Sequence, residues 1–289
     1  MASTLTRRSV ITAGVASAVA LGLSACGSSD SDQASTEVDG VAVDGSITTI
    51  TIGATPNPHV EMLQWIQDNL AADAGLNLDI VEITDYQTPN SSLADGSLAA
   101  NFYQTPNFLA QQIEEKGYDF VSVADVHIEP MGIYSANATS IDQIAEGSSI
   151  TLNNDPANTA RGLKLLEAAG LLTLDPGVEM PSDLDIKDNP KNLKIVTVSG
   201  EQVATTMSDA NVGAVVLNGN YAIDAGLTPS KDALKLEEAQ GSPYVNQLVV
   251  RTADKDNEAL KKLAGLMNSS EFGTWIAERW TDGSVVAAF

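Results

Sequence analysis

The sequence predicts an α/β chain of two lobes, each a mostly parallel sheet flanked by helices, with a cleft between the lobes. Three observations carry this reading. Strand-like alternation and helical periodicity take turns along most of the chain, the pattern of parallel strands joined by helices. Prolines open and glycines close the predicted helices. The 289 residues, less a leader and a tail, suffice for one large domain or two small ones.

The leader comes first. Arg7-Arg8 precede an apolar run from Val10 to Leu23, which ends in Leu23-Ser24-Ala25-Cys26. A basic start, a short apolar stretch and small residues before a cut site make a secretory signal over 1–25. The arginine pair also partly resembles a twin-arginine export signal. Cys26, the only cysteine, stands where a lipobox places its lipid-bearing thiol, so the mature chain is expected to be tethered to a membrane by its acyl chains, palmitate among them. The alternative is a cysteine at the end of an ordinary signal peptide. The apolar run is shorter than the roughly 20 residues of a spanning helix. Residues 26–46, rich in Ser, Asp and Gly, read as an acidic flexible tether.

Order is predicted from Thr48-Thr49-Ile50-Thr51-Ile52, an alternating strand. Asn57-Pro58 offers a helix cap and a proline in the first turn, and Met62, Leu63, Ile66 and Leu70 follow at helical spacing. Leu76–Ile83 returns to strand, which completes a βαβ unit. Strands are then expected at 98–103, 120–126, 132–135, 149–152, 193–198, 212–217 and 246–251. Helices are expected over 106–116, closed by Gly117, and from Pro156 to about Ala169, capped by Asp155. Two more are expected over 257–268 and around Phe272, Ile276 and Trp280. Residues 173–192 lack a period and read as a surface connection. The first lobe is expected to comprise 47–130 and 245–289, the second 131–244.

Composition excludes several functions. With 15 basic and 38 acidic residues the formal charge is −23, and the leader holds Arg7 and Arg8 without an acid, so the mature chain is more acidic still. Such a surface repels nucleic acid and anionic headgroups. His59 and His127 are the only histidines, which argues against a histidine-built zinc or copper site. The phosphate-cradling, dinucleotide and Gly-x-Ser-x-Gly motifs are absent. Asp254-Lys255-Asp256-Asn257-Glu258 lacks the glycine and terminal acid of a calcium loop. No cofactor and no catalytic residue is expected.

Ligands of open α/β sheets sit beyond the carboxyl ends of strands, so polar residues just after strands are the candidates. Arg161 lies in the second turn of the helix that starts at Asp155-Pro156, suited to gripping a carboxylate bidentately. Its alternative is a surface arginine paired with an acid. Asn158 lies three residues earlier on the same face. Asn218 and Asn246 flank strands, and their amides both donate and accept, though turn chemistry would explain them as well. Tyr86, Phe102, Tyr103 and Phe108 gather aromatic rings near two strand–helix junctions, suited to an apolar or sulfur-bearing side chain or to core packing. His59 reads as a cap or packing residue.

Several runs resemble one known family. They are Pro58-His59-Val60-Glu61, Asp85-Tyr86-Gln87-Thr88-Pro89-Asn90, Ala100-Asn101-Phe102-Tyr103-Gln104, Gln111-Gln112-Ile113, Asn153-Asn154-Asp155-Pro156-Ala157-Asn158, Asn189-Pro190-Lys191-Asn192-Leu193 and Ser242-Pro243-Tyr244-Val245-Asn246. In order and spacing, from about residue 48 to 289, they resemble the MetQ/NlpA lipoproteins. The resemblance implies a two-lobed periplasmic-binding-protein fold of type II that closes on its ligand like a hinge. It implies a monomeric, membrane-anchored extracytoplasmic receptor, not an enzyme, that captures methionine in the L form and delivers it to an ABC permease and its ATPase. By position, Arg161 would hold the ligand carboxylate, Asn158, Asn218 and Asn246 the amino and carboxylate groups, and Tyr86 and Tyr103 the side chain. Thr105 and Phe108 would line the same pocket, but stand where the family often has histidine and tyrosine, which bears on side-chain selectivity. Another apolar amino acid or a methionine-containing dipeptide is the rival cargo, and an exported hydrolase the rival class. Arg161→Ala is expected to remove most ligand affinity with the fold intact.

Overall fold

A computed structural model describes residues 38–289, so the leader, Cys26 and most of the expected tether lie outside the described residues. Among the described residues the strands form a seven-stranded, a five-stranded and a two-stranded sheet. The first sheet holds Val41–Asp44, Ile47–Ala54, Leu76–Glu82, Ala100–Gln104, Phe120–Ile128, Val245–Arg251 and Val286–Ala287. The second holds Gly132–Tyr134, Ser149–Asn153, Lys194–Val198, Val212–Leu217 and Lys235–Leu236. The chain crosses from the first to the second between Ile128 and Gly132, and returns between Leu236 and Val245.

Each sheet has a parallel core and antiparallel flanks. Ile47–Ala54 runs parallel to Leu76–Glu82 and to Ala100–Gln104, the βαβ arrangement that the periodicity predicts. Val245–Arg251, the returning strand, inserts antiparallel between Ala100–Gln104 and Phe120–Ile128. In the second sheet Ser149–Asn153 lies parallel to Lys194–Val198 and Val212–Leu217, while Gly132–Tyr134 pairs antiparallel. The sheets are therefore more mixed than the sequence suggests, because both crossovers reverse the chain direction.

Separate apolar clusters lie beneath the two sheets. Ile50, Ile52 and Leu248 of the first sheet pack with Leu260, Leu263 and Met267 of helix Glu258–Met267, and with Phe272 and Ile276 of helix Ser270–Arg279. Ile133, Ile150 and Leu152 of the second pack with Leu163 and Leu166 of helix Pro156–Ala168. Burying each such side chain contributes roughly 1.5–3 kcal/mol, which lets each cluster hold its sheet to its helices without a disulfide.

Helix Pro106–Lys116 ends at Gly117, whose φ of 72° is the left-handed cap conformation. Three expectations change. Val41–Asp44, assigned to the tether, pairs antiparallel with Ile47–Ala54 through a two-residue turn in which Gly45 has φ 60°. A short Val-x-Val alternation followed by Asp-Gly is a hairpin signal, and composition masked it. Residues 173–192 carry two short paired strands, Thr173–Leu174 and Ile186–Asp188. Asn57 keeps extended dihedrals (φ −114°, ψ 140°), and its amide donates to Asp224 at 2.8 Å instead of capping the helical run that follows.

Candidate functional site

One cavity lies where the strand ends of both sheets converge. It is lined by Tyr86, Tyr103, Thr105, Phe108, Asn158, Arg161, Asn218 and Asn246, the eight positions singled out from the sequence, together with Gln104, Glu129, Gly219 and Asn220. Phe102 faces the core instead, stacked edge-on against His59 at 4.7 Å.

Local sequence explains each placement. Asp155 is extended (φ −74°, ψ 140°) and caps helix Pro156–Ala168 by accepting from the Asn158 backbone at 2.8 Å. Its other oxygen accepts from the Asn158 amide at 2.9 Å, so the cap also orients a lining side chain. Asn218, extended before helix Gly219–Asp224, donates from Nδ2 to Asn158 Oδ1 at 2.7 Å. Its own Oδ1 remains as an acceptor. Thr105 holds the extended conformation required before Pro106, which aims the first turn of Pro106–Lys116 at the cavity.

Arg161 is buried, and its guanidinium is largely committed to the protein. Nε donates to both oxygens of Glu237 at 2.9 and 3.1 Å, and Nη2 donates to Glu237 Oε2 at 2.5 Å and to the Glu129 carbonyl at 3.0 Å. The Tyr244 ring lies 4.1 Å from the guanidinium carbon. Glu237 also accepts from the Met131 backbone at 2.8 Å. Arg161 is thus braced against both crossovers, and Nη1 is the nitrogen left for a ligand. This corrects the bidentate grip expected from sequence: the fork that would hold a carboxylate holds Glu237 instead. The partner acid foreseen in the alternative reading exists, yet the arginine lines the cavity.

Asn246 faces a buried cluster on its other side. His59 Nε2 donates to Asn246 Oδ1 at 3.1 Å and lies 3.3 Å from Glu129 Oε1, while His59 Nδ1 accepts from the Thr55 hydroxyl at 2.8 Å. His127 Nε2 lies 2.6 Å from Glu129 Oε1. Thus the two histidines meet around one carboxylate, with a nitrogen or oxygen of each within 4.8 Å of the others. The 2.6 Å separation is a hydrogen bond, shorter than two ligands of one metal ion leave between them. The cluster orients Asn246, leaving Nδ2 toward the cavity. Burial lowers His59 to about 4 and His127 to about 3, so both are neutral at neutral pH. Burial raises the Glu129 carboxyl, and the Arg161 guanidinium pulls it back.

Part of the cavity lining is aromatic. Tyr86 lies 5.7 Å from Tyr103 and 5.9 Å from Phe108, ring centre to ring centre. Tyr103 donates to the Tyr86 carbonyl at 3.1 Å, and Tyr86 donates to Asn220 Oδ1 at 2.5 Å. Burial pushes both tyrosines well above their usual range, so they stay neutral donors.

Sequence reasoning missed Glu129, Glu237, Asn220 and Tyr244. Glu129 and Asn220 follow strand ends, where the rule that found Asn218 could have found them. Glu237 gives no local signal: it is one acid among 38, and only the crossover brings it to Arg161.

Comparison with known proteins places the chain in a family. The NlpA lipoprotein family profile matches residues 50–289. The D-methionine-binding lipoprotein MetQ of Salmonella typhi is 38% identical over 223 residues, 77% of this chain and 82% of that one. The methionine-binding lipoprotein MetQ of Bacillus subtilis (strain 168) is 36% identical over 240 residues, 82% and 87% of the two chains. A nutrient binding protein from Burkholderia cenocepacia, solved bound to methionine, matches with a TM-score of 0.79 at 37% identity, over 83% of this chain and 100% of that one. The fold is therefore that of the two-lobed, type II periplasmic substrate-binding proteins. The chain belongs to the NlpA lipoprotein family, whose members bind substrates and catalyse no reaction.

Proposed function

We propose that this protein captures free methionine, in the L form, between the two sheets and delivers it to an ABC permease and its ATPase. The observation that carries the reading is a lining that combines charged and amide groups with a cluster of aromatic rings. Arg161 Nη1 and Asn246 Nδ2 can donate to a carboxylate, while Asn218 Oδ1 and Glu129 can accept from an ammonium. Tyr86, Tyr103 and Phe108 form a slot for an apolar, sulfur-bearing side chain, with Thr105 among the lining residues. The methionine named for the relatives supports the cargo.

The lobes on this reading are 47–130 with 245–289, and 131–244. A signal over 1–25 and a lipid on Cys26 would tether the monomer to the outer face of a cell membrane. No helix among the described residues is long and apolar enough to cross a membrane.

Isothermal calorimetry against L-methionine, D-methionine, leucine and methionine-containing dipeptides tests the cargo. Tightest binding of L-methionine is expected. Stronger binding of a dipeptide or of the D form would replace that part of the proposal.

A further inference from the structure

The amide of Asn220 stands apart from the other carboxamides of the cavity. Among the described residues, six buried side-chain atoms lack a hydrogen-bond partner, and Asn220 Nδ2 is the one that belongs to a cavity-lining residue. Asn220 is 2% exposed, so water does not repay this donor. A buried unpaired N–H is costly, and such a group calls for an explanation. Its orientation is set: the Tyr86 hydroxyl donates to Oδ1 at 2.5 Å, which leaves the NH2 end uncommitted. A ligand carboxylate already has its donors in Arg161 Nη1 and Asn246 Nδ2. Asn220 is instead anchored on the hydroxyl of Tyr86, whose ring packs with Tyr103 and Phe108.

We propose that Asn220 is a specificity-determining residue whose Nδ2–H donates to a weak acceptor partway along the ligand side chain, a thioether sulfur, and so separates thioether amino acids from all-carbon ones. The inference rests on the methionine reading and deepens it. A thioether is a weak acceptor and a methylene is none. Norleucine, with CH2 in place of sulfur, would leave the amide unpaired.

The test is calorimetric titration of the full chain with L-methionine and L-norleucine, in the unmodified protein and in Asn220→Ala. The unmodified protein is expected to bind methionine about five- to tenfold tighter, the range of a weak to ordinary hydrogen bond of about 1 kcal/mol. In Asn220→Ala that ratio falls to about one, and norleucine affinity changes less than about threefold. A ratio that survives the substitution overturns the proposal, as does an equal weakening of both ligands, which would mean that the amide serves groups the two share. Tyr86→Phe gives an independent reading if Asn220→Ala does not fold. It frees the amide to rotate and is expected to shrink the ratio at least twofold; an unchanged ratio counts against the proposal. Failure of the unmodified protein to bind either amino acid would instead remove the methionine reading, and this inference with it.

Discussion

Arg161→Ala separates two roles that the sequence suggests are one. From sequence, the substitution should remove most ligand affinity and spare the fold. The structure says otherwise, because Arg161 donates four hydrogen bonds to Glu237 and the Glu129 carbonyl. Removing one partner of a buried ion pair costs about 3–5 kcal/mol. Glu237 keeps 14% of its side chain exposed, so water recovers part of this, and the lower end applies. About 3 kcal/mol in a chain of this size lowers the ligand-free Tm by roughly 6–12 °C. Binding loses the Nη1 contact and leaves the ligand carboxylate facing a buried wall, a cost of about 2–5 kcal/mol, or roughly thirty- to several-thousand-fold in Kd. Differential scanning calorimetry of the ligand-free variant gives the first quantity, and titration of the folded variant at 20 °C or below (~20 °C) gives the second. An unchanged Tm would refute the bracing by Glu237. An unchanged Kd would refute the role of Arg161 as the carboxylate partner.

Three further outcomes are expected. Gly219→Ala places a Cβ 2.6 Å from Glu129 Cβ, closer than side chains pack, so it should cost about 1–3 kcal/mol and weaken ligand binding; full activity in a thermal-shift titration would contradict the packing. Asn246→Ala removes a cavity donor and leaves His59 Nε2 only the Glu129 carboxyl at 3.3 Å, and calorimetry should show Kd raised about five- to hundredfold, from about 1–3 kcal/mol. Acidification should destabilise the protein: His59 and His127 titrate near 6.5 when unfolded but at about 4 and about 3 when folded, so the stability they contribute is full above pH 6.5 and lost as pH falls below it. Between pH 6.5 and 5 each loses roughly 1–2 kcal/mol, partly offset by Glu129, whose raised carboxyl takes up its proton earlier in the folded state. Urea midpoints that hold steady or rise over that interval would be inconsistent with neutral buried imidazoles.

The strands and helices were legible where local chemistry decides them. Asp155-Pro156, Thr105-Pro106 and Gly117 mark helix ends through caps and backbone restrictions that a few neighbouring residues set. The eight lining residues were legible by the strand-end rule and by resemblance. What stayed hidden depends on distant pairs. Glu237 lies 76 positions from Arg161, and His59 lies 187 from Asn246, so no local pattern announces either contact. Val41–Asp44 was lost for the opposite reason: four residues in an acidic, serine-rich stretch carry too little alternation to outweigh their surroundings.

The two tyrosines beside the cavity bond outward from opposite sheets. Tyr86, after a strand of the first, donates to Asn220 of the second, and Tyr221 of the second returns a bond to the Thr84 carbonyl at 3.2 Å. Neither bond involves a ligand, so both are available whenever the halves meet. At about 1 kcal/mol net each, they shift the ratio of shut to parted molecules about thirtyfold toward shut. Apparent affinity scales with the fraction of molecules already competent, so on the proposed function part of the affinity is stored in the ligand-free protein, in two hydroxyl bonds made between protein groups alone.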